Sequence, residues 1–175
     1  MEKIDLSKEL QNFYEKNKHE KSIKNWEETL KTTKGFFGIN FLKDNVGGDD
    51  ISIKIGRVFN SIHKKEDFIF SLEGNKVFYY KKFIIFRETP LFSSPHKYRY
   101  LKVNYSNFCN LNIEYKKGEY PYYKLNDFEG EQIIPGISVQ FFKDIHSIIE
   151  IKVKNYLKIK LEQRIEQQRL KEEQR

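Results

Sequence analysis

Residues 67–88 read DFIFSLEGNKVFYYKKFIIFRE, followed by KYRYLKVNY at 97–105 and FCNLNIEY at 108–115. These runs are dense in aromatic and β-branched residues, and Glu73-Gly74-Asn75, Ser93-Ser94-Pro95 and Asn104 punctuate them. Short apolar runs broken by turn-forming residues predict an antiparallel sheet. Strands are expected at Asp67–Leu72, Lys76–Tyr80, Phe83–Arg87, Tyr98–Val103 and Cys109–Tyr115. Glu73-Gly74-Asn75 suits a hairpin turn. Thr89–His96, which holds Pro90 and Pro95, reads as a loop at the rim of the sheet.

The flanks are helical in pattern. Between Ile4 and Thr32 the spacing predicts two helices, Ser7–Lys16 and Ser22–Lys31, separated by a polar break. Trp26, the single tryptophan, reads as an anchor between its helix and the sheet. Gly35–Leu42 fits a strand or an apolar loop, and Asp44–Asp50 is a break. Residues 51–62 fit two templates. Ile51, Ile53 and Ile55 alternate as in a strand, whereas Ile51, Ile55, Val58, Phe59 and Ile62 share a helix face. The helical template covers more residues and predicts a helix from Asp50 to His63. Tyr120–Tyr123 suits a short edge strand, since proline is tolerated at edges, and Phe128–Pro135 reads as a loop.

Pro135 and Gly136 precede one long helix that starts at Ser138, a good N-cap. Its apolar stripe is dense from Phe141 to Val153 and then thins to Leu157, Leu161, Ile165 and Leu170 among charged residues. Lys152–Arg175 holds eight basic and four acidic residues, so this segment supplies +4 of the net +7. The expected organisation is an N-terminal helical segment at 1–34, an α+β core at 35–153 and a charged helical extension at 154–175. The fold class is α+β: N-terminal helices, an aromatic-rich antiparallel sheet or small open barrel, and a C-terminal helix that outruns the domain.

The meander KVFYYKKFIIFR (76–87), then YRYLKVNYSNF (98–108), then the helix IPGISVQFFKDIHSII (134–149) resembles bacterial pleckstrin-homology-like (PH-like) domains over about residues 67–153. That resemblance implies a binding platform without enzymatic activity. It transfers no functional residue, because the fold has no fixed site.

Composition limits the chemistry. The chain is 38% hydrophobic and 33% charged, against roughly 45–50% and 25% in an average domain. Fifteen Phe and eleven Tyr offset the apolar deficit, and alanine is absent. The net charge of +7 and pI near 9.2 fit simple solubility or attraction to an acidic partner. The lone Cys109 excludes an internal disulfide and reads as a small core residue. With no apolar run suited to a leader or a bilayer span, a cytoplasmic protein is expected.

His19, His63, His96 and His146 show no metal-ligand spacing, and His146 reads as a satisfied residue at the core boundary. Asp49-Asp50 after Gly47-Gly48 could ligate a cation, but a turn and helix cap explain it as well. There is no phosphate-binding or nucleophile-elbow motif, and no cofactor is implied. A site assembled from scattered acids with His63 or His96 is the enzyme alternative.

Two binding readings remain. The sparse stripe of the last helix, with Leu157, Leu161, Arg164 and Ile165, could pair with a second copy or with another protein. Cations interleaved with aromatics, at Lys81, Lys82, Lys97, Arg99 and Lys102, could hold nucleic acid through phosphate contacts and stacking. The expectation is a non-catalytic adaptor or inhibitor, of the kind carried by phages and mobile elements, that covers a surface on another protein. Nucleic-acid binding is the alternative.

Overall fold

The computed structural model describes residues 4–33, 39–44, 50–54, 65–74, 76–87, 99–116, 122–125, 132–133 and 138–175. Helix α1 spans Ser7–Asn17. The Asp5 carboxylate accepts the Ser7 N–H at 2.8 Å, satisfying one of the donors that a helix start leaves open. Helix α2 spans Trp26–Thr33. It begins in a reciprocal cap: Asn25 Oδ1 accepts the Glu28 N–H at 3.0 Å, and the Glu28 carboxylate accepts the Asn25 N–H at 3.4 Å. Between them lies the two-residue strand β1, Ile23–Lys24.

Strands β2 (Ile39–Asp44), β3 (Asp50–Lys54), β4 (Phe68–Leu72), β5 (Val77–Tyr80), β6 (Phe83–Arg87) and β7 (Arg99–Asn104) complete a seven-stranded sheet in the order β1-β4-β5-β6-β7-β2-β3. The middle is an antiparallel meander, while β2 runs parallel to β7 and antiparallel to β3. The β4–β5 hairpin turns at Glu73 (φ 58°) and Gly74 (φ 78°), as the turn residues predict. A second sheet, β10-β9-β8, is built from β8 (Ile113–Lys116), β9 (Tyr122–Leu125) and β10 (Gln132–Ile133).

Three expectations are corrected. Asp50–Lys54 is a strand and not the start of a helix. The β-branched alternation of Ile51 and Ile53 prevails because β2 offers a pairing partner. Residues 55–63 lie outside the described residues, as do Gly47, Gly48 and Asp49. Second, the expected strand at Cys109–Tyr115 starts only at Ile113, because Tyr105–Asn110 forms a 3-10 segment. Third, Gln132–Ile133 pairs with β9 where a loop is expected. Two further expectations shift: the strand expected at an edge over Tyr120–Tyr123 is β9, Tyr122–Leu125, which lies between β8 and β10 and not at an edge, and the helix expected at Ser22–Lys31 begins only at Trp26, because Ile23–Lys24 pairs with β4.

Both faces of the meander are buried. One carries Phe70, Leu72, Val77, Tyr79, Ile84, Phe86, Leu101 and Val103 into the main core. The other carries Phe78, Tyr80 and Ile85, with Phe68 and Phe83 packed beside them. A sheet covered on both sides has no polar face to alternate with, which is why FIFSL, VFYY and FIIF read as continuous apolar runs. Helix α1 seals the first face through Phe13 and Tyr14, whose rings lie 5.9 and 6.0 Å from that of Phe70. On the second face α2 lays Trp26 edge-on to Phe68 at 5.2 Å and joins Thr29 Oγ1 to Ser71 Oγ at 2.6 Å.

Helix α3, Val139–Glu173, crosses the first face. Ser138 caps it, accepting the Phe141 N–H at 3.0 Å. Phe142, Ile145, His146, Ile149 and Val153 are buried and Tyr156 is partly so. These positions fall on one face at helical spacing. At 1.5 Å per residue, the helix runs on for about 30 Å past Val153.

Candidate functional site

Among the described residues, the large aliphatic side chains left exposed are Ile151, Leu157, Ile159, Leu161, Ile165 and Leu170, all on α3. Leu157 is 44% exposed, and Leu161 and Ile165 are each 59% exposed. Together with buried Val153 they form one i, i+4 row. Each step along that row turns about 40° around the helix axis. By Ile165 the row has wound well away from the face that touches the core. Two neighbouring rows frame it, since residues three and four apart adjoin on a helix surface. On one side stand Lys154, Lys158 and Glu162; on the other stand Lys160, Arg164 and Gln168. Four cations therefore border Leu157 and Leu161, while Ile165 is bordered by Glu162 and Gln168.

The same helix carries carboxylates that are engaged locally. Glu150 pairs with Lys154 at 2.8 Å. Glu166 and Glu173 both bind Arg169, the former at 2.6 Å. Lys160 holds its ammonium 5.7 Å from the centroid of the Tyr156 ring. Leu157, Leu161, Arg164 and Ile165, the residues singled out from the stripe, are all exposed on this projecting half. A heptad seam is not sustained here: starting from Val153 and Leu157, its next positions are Lys160, Arg164 and Gln167.

The basic–aromatic residues are placed differently. Lys81 and Lys82 form the β5–β6 turn. Its backbone is held by Leu6, Asp67 and Tyr105 through hydrogen bonds of 2.8, 2.9 and 3.2 Å. Lys102 sits on β7 with its ammonium 4.7 Å from the Phe83 ring centroid. Arg99 belongs to β7, and Lys97 lies outside the described residues. Tyr79, Tyr80 and Tyr123 are buried, so their rings offer no face to a base.

A second feature is a cleft of about 200 Å³ between the 3-10 segment, β8 and α3, lined by Phe108, Cys109, Leu111, Ile113, Tyr115 and Glu150, with His146 at its wall. His146 Nδ1 lies 2.7 Å from the Tyr115 hydroxyl and Nε2 lies 3.2 Å from that of Tyr79. The rings of Phe142 and Phe108 approach the imidazole at 4.1 and 5.2 Å. Burial in this aromatic shell drives its pKa down to about 3, so it is neutral. A neutral imidazole donates from one nitrogen and accepts at the other, and the two tyrosines use both. Burial raises the Cys109 thiol, and the Glu150 carboxylate adds to the effect. A protonated thiol beside an imidazole whose nitrogens are both occupied lacks the features of an activated nucleophile.

Sequence spacing could not find the tyrosine pair, because Tyr79 and Tyr115 stand 67 and 31 residues from His146. Among the described residues no group of three His, Cys, Asp or Glu could hold a metal ion. Among them, too, no helix is long and apolar enough to cross a membrane. Comparison with family models, curated proteins and solved structures returns no match.

Proposed function

We propose that this chain is a non-catalytic binding protein that covers a surface on another protein through the projecting half of α3. The observation that carries the reading is the concentration of exposed Leu and Ile side chains on a helix that has left its own core. Exposed apolar rows on a protein surface mark contact sites. The neutral, fully hydrogen-bonded His146 and the protonated Cys109 support a role without catalysis. The resemblance to PH-like binding platforms points the same way.

Magnitudes set the kind of contact. Burying what remains exposed of Leu157, Leu161 and Ile165 supplies roughly 2–5 kcal/mol in all. Association costs roughly 4–15 kcal/mol in lost freedom. The row alone therefore supports a weak contact, and stable binding needs the charges beside it.

The test is quantitative affinity capture with the full chain and with a Leu161→Asp/Ile165→Asp variant, after nuclease treatment. A stoichiometric protein retained by the native chain and lost with the variant supports the proposal. Equal recovery by both chains refutes it.

A further inference from the structure

We infer that the exposed row of α3 is covered, until another protein takes it, by a second copy of this chain packed antiparallel along it. This rests on the projecting half of α3 being a contact surface. Two patterns on that half point to the second copy. Leu157, Leu161 and Ile165 are symmetric about Leu161. In an antiparallel pair centred there, Leu157 lies level with Ile165 of the second copy and the two Leu161 side chains meet. The adjoining i, i+4 row reads Lys154, Lys158, Glu162 and Glu166, two cations followed by two carboxylates. Reversed, that order is its own complement. Its midpoint, between Lys158 and Glu162, falls one residue from Leu161, about 1.5 Å along the axis. A two-fold antiparallel pair sets this edge against the same edge of the second copy, so that each contact is made twice. Lys158 then lies between the levels of Glu162 and Glu166 of the second copy, about 3 Å along the axis from each.

Local ion pairs decide which of these contacts selects the arrangement. Lys154 already holds Glu150 at 2.8 Å, and Glu166 already holds Arg169 at 2.6 Å. Lys158 and Glu162 are exposed and, among the described residues, take part in no ion pair. The Lys158–Glu162 contact, made twice by symmetry, is therefore the one that favours the antiparallel copy. The opposite edge works against it. There Lys160 and Arg164 face the same two residues of the second copy, although Lys160 keeps its ammonium 5.7 Å from the Tyr156 ring centroid of its own helix. The pair is consequently weak, which lets another protein displace it. A parallel copy fits less well, because it sets Lys158 beside Lys160 of its mate. Nucleic acid leaves the aliphatic row uncovered, and residues 157–175 contain no aromatic ring for a base to stack on.

The test is sedimentation equilibrium of the full chain from micromolar to millimolar concentration, at low and high salt. The native chain is expected to form a reversible dimer that weakens as salt rises. Lys158→Glu and Glu162→Lys are each expected to weaken dimerisation at least tenfold, with near-ultraviolet circular dichroism unchanged. Mixed in equal amounts, these two variants are expected to pair as tightly as the native chain, because opposite charges again meet across the seam. A native chain that stays monomeric throughout overturns the inference and leaves contact with another protein, which affinity capture tests on its own. Dimerisation that ignores the single reversals, or that mixing fails to restore, overturns the antiparallel pairing. Dimerisation untouched by Leu161→Asp moves the contact off the row and overturns it as well.

Discussion

The Tyr115 hydroxyl lies 2.7 Å from Nδ1 of His146, on the opposite side of the imidazole from Tyr79. This arrangement keeps the ring neutral inside an aromatic shell and makes stability depend on pH. The folded pKa, about 3, lies below the ordinary value of 6.5. Between those values the unfolded chain binds a proton that the folded chain refuses. Stability is therefore full above pH 6.5 and falls as the pH drops, by roughly 1.4 kcal/mol per unit once the unfolded histidine is protonated. Urea denaturation at pH 7, 6, 5 and 4.5 should show this slope, and His146→Gln should flatten it. An unchanged slope in the variant would place its origin elsewhere.

The two tyrosine hydroxyls should be coupled to the histidine and not merely near it. Tyr115→Phe strands a ring nitrogen in a buried site, a loss of about 1–3 kcal/mol. His146→Phe strands both hydroxyls, with a loss of the same order. The double variant His146→Phe/Tyr115→Phe removes both partners and should be less destabilised than the two losses summed. Equilibrium unfolding of the four chains measures the coupling. Strict additivity would mean that the 2.7 Å contact contributes nothing of its own.

The meander, its Glu73-Gly74 turn and the capped start of α3 are legible in the sequence because each rests on local chemistry: β-branched runs, a turn glycine, a serine N-cap. The Asp50–Lys54 strand is not, because its sequence satisfies two periodicities and only the distant strand β2 decides between them. The 3-10 segment Tyr105–Asn110 is equally hidden, since the alternation of Leu111, Ile113 and Tyr115 extends a strand pattern back to Cys109; the Tyr105 hydroxyl donates to the Tyr80 carbonyl at 2.6 Å. The burial of both sheet faces is also non-local, and it takes Tyr79 and Tyr80 out of any surface. The projecting row is the opposite case. Leu157, Leu161 and Ile165 are visible in the sequence because their i, i+4 spacing is local to one helix, where they stay largely exposed.

Helix α2 is short, and its cap should be worth measuring against its packing. Asn25→Ala removes the side-chain acceptor for the Glu28 N–H and should lower stability by about 1 kcal/mol. Asn25→Asp keeps the acceptor and should hold stability near the native value. Thermal unfolding monitored at Trp26, which packs on Phe68, reports the change. If Asn25→Ala is neutral, the cap adds nothing to the hold that Trp26 and the Thr29–Ser71 hydrogen bond already give α2.

The projecting half of α3 should be separable from folding. Leu161 and Ile165 are more than half exposed and absent from the main core, so Leu161→Asp and Ile165→Asp should each shift stability by no more than about 0.5 kcal/mol. Val153→Asp is the contrasting case. It sits on the same row about two to three turns earlier, is fully buried, and forces a carboxylate against Ile149 and the core, so severe destabilisation is expected. Removing Lys158–Arg175 should lower the helical signal at 222 nm in proportion to length and leave the cooperative transition in place. A matching loss of core stability on removing that segment would show that the exposed row supports the fold, and the case for a free contact surface would fail with it.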